Sequence, residues 1–573
     1  MKRTVIILGK KYFLYMIPAL LSAAGMSLSE FADSMIVSRL LGENAMGIVN
    51  LTSPIIMICS TIYTIFGLGG SILLAESLGK KDRAGAESIY SISIIASVIT
   101  ITLVSVAGLS AKNVLGVVLG CPDELLYGFD RHITVLLCSI PIVCLTSVIT
   151  FYFPIIGKPW AATFTLIIAN VLNVSFDYIY IRVFEFDVAG AAFATLTGYS
   201  VAFVFAMIFA IKSKNVLRFR LTKPNLKLIA PIARKGMAAS TVQLCYGVFT
   251  IFCNNLMNYY YSTAGIIFIS LSGQLDSLVS ILITGIADNN ASFSAMLKGE
   301  GDYRGIRILT RSVMICLFAS VSAISALFCI FTKEIAFIYN IRNPEALALI
   351  KSLLPVFVLH YPLRMICIVL RDVYNVLGRE IYALSISIID KCAGIVLFGL
   401  TLSKLFGGVG VVLAFVTNSC FVLVLIFTVN SVIIRTSGNK YSRILLIEKD
   451  CESALLYDLT FMPQKDSIVD IGINIQNALK DTEGDSIAYK TGLLLEEMVT
   501  YSEVHHTDRP IDIRINKSAD GIYINFRIAG LPYNPYSWKE GDSYENRVIL
   551  EMIGKPEYSY AFGINSIRFN LNR

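Results

Sequence analysis

Charged side chains are scarce in this sequence, and their scarcity argues against a soluble protein. Of the 573 residues only 16% are Asp, Glu, Lys or Arg, whereas 55% are apolar. Soluble domains carry about 25% charged residues, because they must cover their surfaces with groups that water solvates. The apolar residues also fall in blocks of about twenty or more, the length at which a helix crosses a bilayer. The sequence therefore predicts a membrane protein.

Histidines and closely paired cysteines are also lacking. The chain has 4 His and 12 Cys, and no two Cys form a CxxC pair. Most of the cysteines lie in apolar blocks, where a thiol behaves as a small hydrophobe. We therefore expect no disulfide framework, no metal site and no bound cofactor. The net charge of +7 lies mainly between the apolar blocks, as membrane topology requires, so it does not indicate nucleic acid binding.

The apolar blocks predict an all-α polytopic membrane protein with about twelve transmembrane helices in two six-helix bundles. The first block is longer than the apolar part of a signal peptide and has no small-residue cleavage site, so it is a predicted span. The approximate spans are residues 13–38, 46–74, 88–109, 132–153, 160–183, 188–211, 237–259, 264–286, 309–331, 347–370, 380–403 and 408–434.

The distribution of Lys and Arg predicts the orientation in a cell membrane. Loops on the N-terminal side of the bilayer hold about 22 of them and loops on the other side about 7, so both termini are predicted to be cytoplasmic. The largest basic group lies in residues 212–236, from Lys212 to Lys235, and contains no acid. A nucleic-acid patch is the alternative, but a cytoplasmic linker between two halves is favoured.

An internal repeat divides the membrane part into two halves. The segment LGKKDRAGA begins at Leu78, and the similar KGEGDYRGI begins at Lys298. Likewise FPIIGKPWAA contains Gly157 and NVLGREIYA contains Gly378. Because each half has six helices, the halves have the same orientation, and a site between them is a familiar transporter plan. The predicted domains are residues 1–211, the linker 212–236, and residues 237–440.

The composition changes after about Thr436, and residues 441–573 are predicted to form a cytoplasmic α+β two-layer domain. Apolar alternation in Ile511–Ile515 and Ile522–Ile528 predicts paired strands around a turn at Asp520–Gly521. The periodicity of Asp485–His505 predicts a helix.

Acids within a predicted span are candidate functional residues, because a charge in the bilayer is costly. Asp33 lies in the first span, and Glu30 lies one helical turn earlier on the same face. Two close carboxylates in a low dielectric favour uptake of a proton, and they could equally hold sodium or face a cationic substrate. The alternative is that both are hydrated near the outer interface or that Arg39 neutralises one.

Further candidates lie in later spans. Asn170, Asn173 and Asp177 recur at helical spacing in the fifth span, where they suit either hydrogen bonding between helices or transport. In the second half, Asn254 falls near the repeat position of Asp33, and Asp276 is a second intramembrane acid. Structural pairing is the favoured interpretation of four further polar residues, His360, Arg364, Asp390 and Lys391.

The segment from about residue 10 to residue 435 resembles the multidrug and toxic compound extrusion (MATE) family. This family belongs to a larger group that includes lipid-linked polysaccharide flippases. The resemblance is carried by FADSMIVSRLLG, GLGGSILLAESLGKKD, ANVLNVSFDYIYI and VAGAAFAT. It implies twelve helices in two bundles around a central cleft, and export of organic cations against sodium or protons. The acid on the family's first helix matches Asp33. Glu30 and the run Asp288–Asn289–Asn290 are less typical of the family.

The C-terminal domain resembles an ATPase domain of the histidine-kinase and anti-sigma-factor-kinase type. The carriers are GLLLEEMVTYSEVHH and GLPYNP. The family's glutamate is retained as Glu497, but its magnesium-binding asparagine corresponds to Tyr501 and its adenine-binding aspartate to Ile528. No Gly-rich lid occurs in Glu545–Pro556. The resemblance, together with these departures from the family pattern, implies a domain that keeps the fold but lacks catalysis. It implies a regulatory or protein-docking role.

Three functions follow from these observations. The first is a secondary antiporter that exports small cationic compounds by alternating access, driven by a proton or sodium gradient. The second is a flippase for a lipid-linked saccharide, which would need a broad cationic cavity, whereas basic residues within the spans are few. The third is a membrane sensor whose C-terminal domain binds a cytoplasmic protein. Deletion of residues 445–573 distinguishes the third, because transport survives if this segment is accessory.

Overall fold

The computed structural model describes most of the chain after residue 50 and isolated positions of the first span, among them Tyr15 and Asp33. The continuous described ranges are residues 51–118, 126–212, 226–339, 343–442, 444–449, 455–461, 468–506, 511–518, 521–532 and 556–571. Glu30 and most of the linker at 212–236 lie outside the described residues.

The first half is a bundle in which the last helix packs against the two that precede it. Its fifth helix continues into a π-helical turn at Ile179–Val183. The helices are α1 Ser53–Gly79, α2 Arg83–Ser110, α3 Lys112–Val118, α4 Leu126–Tyr152, α5 Pro159–Tyr178 and α6 Ala189–Lys212.

The second half begins with a short 3₁₀ turn at Leu226–Leu228. A second π-helical turn, Ile389–Ala393, lies between its helices α12 and α13. The helices are α7 Ile229–Gly299, α8 Tyr303–Ile330, α9 Thr332–Ile338, α10 Pro344–Val358, α11 His360–Val376, α12 Glu380–Ile388, α13 Gly394–Phe406 and α14 Gly408–Thr436.

The helix α7 contains both the seventh and the eighth predicted spans. A straight helix of its 71 residues would be about 106 Å long. Instead the backbone leaves the helical region at Ser262, with φ 49° and ψ −136°. Both of its ends pack against α1, Ile232 beside Gly69 and Met296 beside Gly79. The chain therefore turns back at Ser262 and forms two arms, residues 229–261 and 263–299.

The two halves repeat the same local structures. Asp82 and Asp302 cap the helices α2 and α8, and each accepts a hydrogen bond from the amide of the glycine three residues later, at 2.8 Å and 2.5 Å. Gly157 and Gly378 both have positive φ, at 81° and 89°, in the turns after α4 and α11. The matching motifs in the sequence thus correspond to matching turns.

The polytopic helical fold class is confirmed. Ten helices within the described residues are long and apolar enough to cross a membrane. These ten leave out the first arm of α7, which contains the predicted span 237–259, and the first predicted span, of which only isolated positions are described. The protein is therefore a multi-pass membrane protein.

The α+β character of the C-terminal region is also confirmed. Five antiparallel strands form one sheet in the order β1-β2-β3-β5-β4. The predicted strand pair is present, with Ile511 opposite Ile528, and the predicted helix spans Asp485–His506. The elements are β1 Leu455–Phe461, α15 Ile468–Glu483, α16 Asp485–His506, β2 Ile511–Ser518, β3 Gly521–Ala529, β4 Glu557–Ala561 and β5 Ile564–Leu571.

The two faces of this sheet differ in chemistry, because successive strand residues point to opposite sides. One face packs Ile513, Ile524 and Phe526 against Leu479 of α15 and Leu495 of α16. Ile528, at the position of the ATPase family's adenine-binding aspartate, belongs to this apolar core. The other face carries four polar residues that are also buried, namely Asp512, Arg514, Asn525 and Arg527.

Candidate functional site

The carboxyl groups of Asp33 and Asp177 are close neighbours between the first span and α5. Asp177 is completely buried near the C-terminal end of α5. Within the described residues, neither of its oxygens nor Oδ1 of Asp33 meets a hydrogen-bond donor. Two adjacent carboxylates repel each other strongly in a low dielectric. One proton or one small metal cation bound between them would remove this repulsion.

Polar contacts between the first span and α5 position this pair. Ser22 Oγ donates to Thr163 Oγ1 at 3.0 Å, and Ser29 Oγ donates to the backbone oxygen of Asn170 at 3.3 Å. Residue numbers increase in the same direction along both helices, from Ser22 to Ser29 and from Thr163 to Asn170, so the two helices are parallel. This is expected for the first and fifth spans, which both start on the same side of the membrane. Thr163, Asn170 and Asp177 follow each other at seven-residue intervals, which places them on one face of α5.

Asn173 has a different environment from its neighbours. Its amide donates to Thr195 Oγ1 of α6 at 3.2 Å, so it joins α5 to α6. Asn170 lies on the side of the first span and, within the described residues, its buried Nδ2 has no acceptor. The three polar residues predicted on one face of the fifth span thus serve two different helices.

The sequence prediction paired Asp33 with Glu30, whereas the carboxyl partner that the structure gives for Asp33 is Asp177. Depth in the membrane could have identified this pair. Asp33 lies about twenty residues into the predicted span 13–38, and Asp177 about seventeen residues into 160–183. Because both spans start on the same side, the two acids are expected at similar depths.

A second polar group lies in the other half, around Asp276 on the second arm of α7. Its carboxylate contacts Arg364 Nη1 at 2.6 Å, Lys391 Nζ at 3.6 Å and His360 Nε2 at 3.7 Å. Arg364 Nε also lies 3.5 Å from Asp390 Oδ2. Two acids therefore balance two bases in the bundle interior. The sequence suggested structural pairing for four of these residues but missed that Asp276 is the common partner of His360, Arg364 and Lys391.

A cavity of about 240 Å³ adjoins this ionic cluster. Asn254 and Asp276 line it together with three aromatic rings, Phe249, Phe357 and Phe415. The buried Oδ1 of Asn254 has no donor within the described residues. Apolar walls with a few convergent polar groups are typical of small-molecule sites.

The two halves are in tight contact at the ends of α1 and α7. A Cβ atom on Gly79 would lie 2.2 Å from the backbone oxygen of Met296, and one on Gly299 would lie 2.2 Å from that of Glu76. Only glycine permits this approach between helix backbones. Lys298 Nζ also reaches Glu76 Oε2 at 3.2 Å across the contact. By the positive-inside prediction this is the cytoplasmic side, and the halves are closed there.

Comparisons with known proteins agree with this architecture. The MatE family model matches residues 18–179. A multidrug export protein, MepA, from Staphylococcus aureus is 26% identical over 242 residues, which cover 42% of this chain and 53% of that protein. The MepA of Staphylococcus saprophyticus is 26% identical over 251 residues, 43% of this chain and 55% of that protein. The chain thus spans about half the length of the curated relatives it matches.

Solved structures share the fold over the membrane part. An outward-facing multidrug resistance MATE transporter superposes with a TM-score of 0.70 at 21% identity, covering 74% of this chain and 96% of that one. A mutant of a Vibrio cholerae MATE transporter gives 0.70 at 17% identity, with 75% and 97% covered. A MOP superfamily transporter from Pyrococcus furiosus gives 0.68 at 20% identity, with 76% and 97% covered.

The fold defines a multi-pass helical membrane protein with two buried polar groups and with turns that repeat between its first and second parts. A family model thus matches the first part of the chain, and the membrane part shares its fold with solved MATE transporters. The curated relatives described above are named as multidrug export proteins.

Proposed function

We propose that this protein is a secondary antiporter that exports small organic cations, driven by a proton or sodium gradient. The observation that carries the proposal is the proximity of Asp33 and the fully buried Asp177. Three of their four carboxyl oxygens meet no donor in the described part of the chain. The similarity to proteins named as multidrug export proteins supports the transport class.

Coupling follows from the charge of this pair. When it is empty, the two carboxylates repel, and the first span is pushed away from α5. A bound proton or sodium ion removes the repulsion and allows the two helices to pack closely. The cation therefore binds one conformation more tightly than the other, and a gradient of that cation can drive the conformational cycle.

The second-half cavity is our proposed contact for the exported cation. The faces of Phe249, Phe357 and Phe415 attract organic cations through their ring quadrupoles. Asn254 Oδ1, which meets no donor in the described part of the chain, supplies an acceptor oxygen in the cavity. A flippase for a diphosphate-linked lipid fits less well, because Arg364 and Lys391 each lie against an acid.

Replacing Asp33 by asparagine is expected to leave the protein in the membrane but abolish ion-driven efflux, because the amide cannot exchange a proton or bind sodium strongly. We would measure ethidium transport in inverted vesicles with proton and sodium gradients imposed separately. Asp130→Asn, on the exposed Lys112–Asp130 pair, is the control and should transport normally. Undiminished efflux by Asp33→Asn under both gradients would contradict the proposal.

Asp177→Asn is expected to cause the same loss of efflux as Asp33→Asn, because the two carboxyl groups act as one ion site. The double variant should then be no worse than either single variant, a non-additivity that is typical of residues acting as a unit. The measurement is initial ethidium efflux rate for all four proteins at equal expression. Additive losses would show that the two acids serve separate steps.

A further inference from the structure

The polar face of the C-terminal sheet rests on the loop between α7 and α8. Arg527 of β3 donates from Nε to Glu300 Oε2 at 2.8 Å and from Nη1 to Asp302 Oδ2 at 2.8 Å. Arg514 of β2 also contacts Asp302. Each of these side chains is 1–2% exposed. The sheet thus covers both acids of a cytoplasmic loop of the second half.

The same contact extends to the first half through Lys81, in the loop between α1 and α2. Its Nζ lies 3.1 Å from Glu300 Oε1, and it also donates to Ser559 Oγ of β4 at 3.0 Å and to Ser566 of β5. Lys81 therefore touches the second half and the C-terminal domain at once. Its backbone has a positive φ of 66°, an uncommon conformation for lysine that indicates a constrained loop.

The charges in this contact balance, so their burial is compensated. Burial alone would raise the pKa of Glu300, but Arg527 and Lys81 hold this pKa below its ordinary value. Burial likewise opposes ionisation of Asp302, while Arg514 and Arg527 keep its pKa low. Burial lowers the pKa of Lys81 to about 8, against the opposing effect of Glu300. Removing Arg527, which contacts both acids, would leave an uncompensated buried charge, whereas Glu300 keeps Arg527 when Lys81 is removed.

The hairpin between β4 and β5 forms a second contact with both halves. The amide of Phe562 donates to the backbone oxygen of Ile155, in the loop between α4 and α5, at 2.7 Å. The Phe562 ring stacks on Phe293 of α7 with centroids 4.0 Å apart, and the ring of Tyr15 in the first span meets its edge at 5.9 Å. Phe562 is completely buried. One side chain thus packs between elements of both halves.

We propose that the C-terminal domain is an intramolecular clamp that holds the cytoplasmic ends of the two halves together and inhibits opening on that side. Alternating access requires the halves to separate there, and separation would pull Lys81 away from Glu300. It would also remove Phe562 from either Ile155 or Phe293. The domain must therefore release at least one half in each cycle, and whatever stabilises its docked state slows export. This inference rests on the proposed transport cycle only for its effect on efflux.

Two variants are expected to weaken the clamp, each by removing a different contact. Phe562→Ala removes the ring between the halves, and Lys81→Met disconnects the first half while Arg527 still neutralises Glu300. Tyr489→Ala, an exposed aromatic on α16, is the matched control in the same domain. All are made in the full-length chain, so the test does not require the domain to fold alone.

The primary readout is the distance between the halves. Spin labels on cysteines at the exposed positions 84 of α2 and 307 of α8, in a background without native cysteines, report separation on the cytoplasmic side. We expect both variants to increase the population with long distances by at least about threefold over Tyr489→Ala and the parent protein. Unchanged distances in both correctly folded variants would overturn the clamp.

Efflux gives an independent second readout. Ethidium export is expected to be faster in both variants, by at least about twofold, because release no longer limits opening. Slower export without a change in distance would show that the domain merely supports the fold, and would overturn the clamp. Longer distances with no ethidium transport in any protein, parent included, would refute the proposed function and leave the clamp intact.

Discussion

Replacing Arg364 by methionine is expected to destabilise the protein by about 3–5 kcal/mol, the usual cost of removing one partner from a buried ion pair. Arg364 lies between Asp276 and Asp390, with its side chain 7% exposed. Methionine has a similar length but no charge, so Asp276 would keep Lys391 only at 3.6 Å. Asp390 would lose its contact with the guanidinium. Unfolding free energy in detergent, from denaturant titration, measures the effect.

A double-mutant cycle separates this charge effect from lost packing. Arg364→Met combined with Asp276→Asn should cost less than the sum of the single variants, because the second change removes the excess negative charge that the first leaves in the cluster. Arg311→Met, at an exposed position of α8, is the matched control and should change stability by less than about 0.5 kcal/mol. If Arg364→Met costs no more than Arg311→Met, the cluster is not a stabilising element.

The membrane fold could be predicted from the sequence because its main determinant is local. Backbone polar groups in a bilayer must be satisfied within each segment, so apolar length alone predicts a helix. The repeat motifs carry the same kind of information, since Asp82 and Asp302 cap the next helix through an amide only three residues away. The turn at Ser262 was predicted only as a gap between two spans, because one residue's backbone angles leave no hydropathy signal.

Contacts between distant segments could not be predicted in the same way. The sequence leaves Asp177 open as either a hydrogen-bonding residue between helices or a transport residue, because nothing near it in sequence indicates that it meets Asp33. Asp512, Arg514 and Arg527 alternate with isoleucines and phenylalanine, a pattern that normally indicates a solvated sheet face. Here that face is buried by Glu300 and Asp302, more than 200 residues away in the chain.

The closed contact between the two halves on the cytoplasmic side depends on glycine, so a bulky residue at Gly299 is expected to have a large effect on export. Gly299→Leu should abolish export, with efflux reduced at least about tenfold. A Cβ at this position would lie 2.2 Å from the backbone oxygen of Glu76 and 2.8 Å from Gly79 Cα. Because these are backbone atoms, no side-chain rotation can relieve the clash. The ends of α1 and α7 must move apart, and the closed state loses its helix contact.

The spin-label distance between positions 84 and 307 should therefore increase in Gly299→Leu even though the C-terminal domain and its charged contacts remain. Ser312→Leu, on the exposed side of α8, adds the same bulk away from the contact and should change neither distance nor efflux.

Comparison with Phe562→Ala distinguishes the glycine contact from the clamp. Both variants open the cytoplasmic side, but loss of the clamp leaves the closed state accessible and accelerates export. Loss of the glycine contact removes that state, and export stops because one half of the cycle is missing. If Gly299→Leu kept both the short distance and normal efflux, the closed contact between α1 and α7 would not be part of the transport cycle.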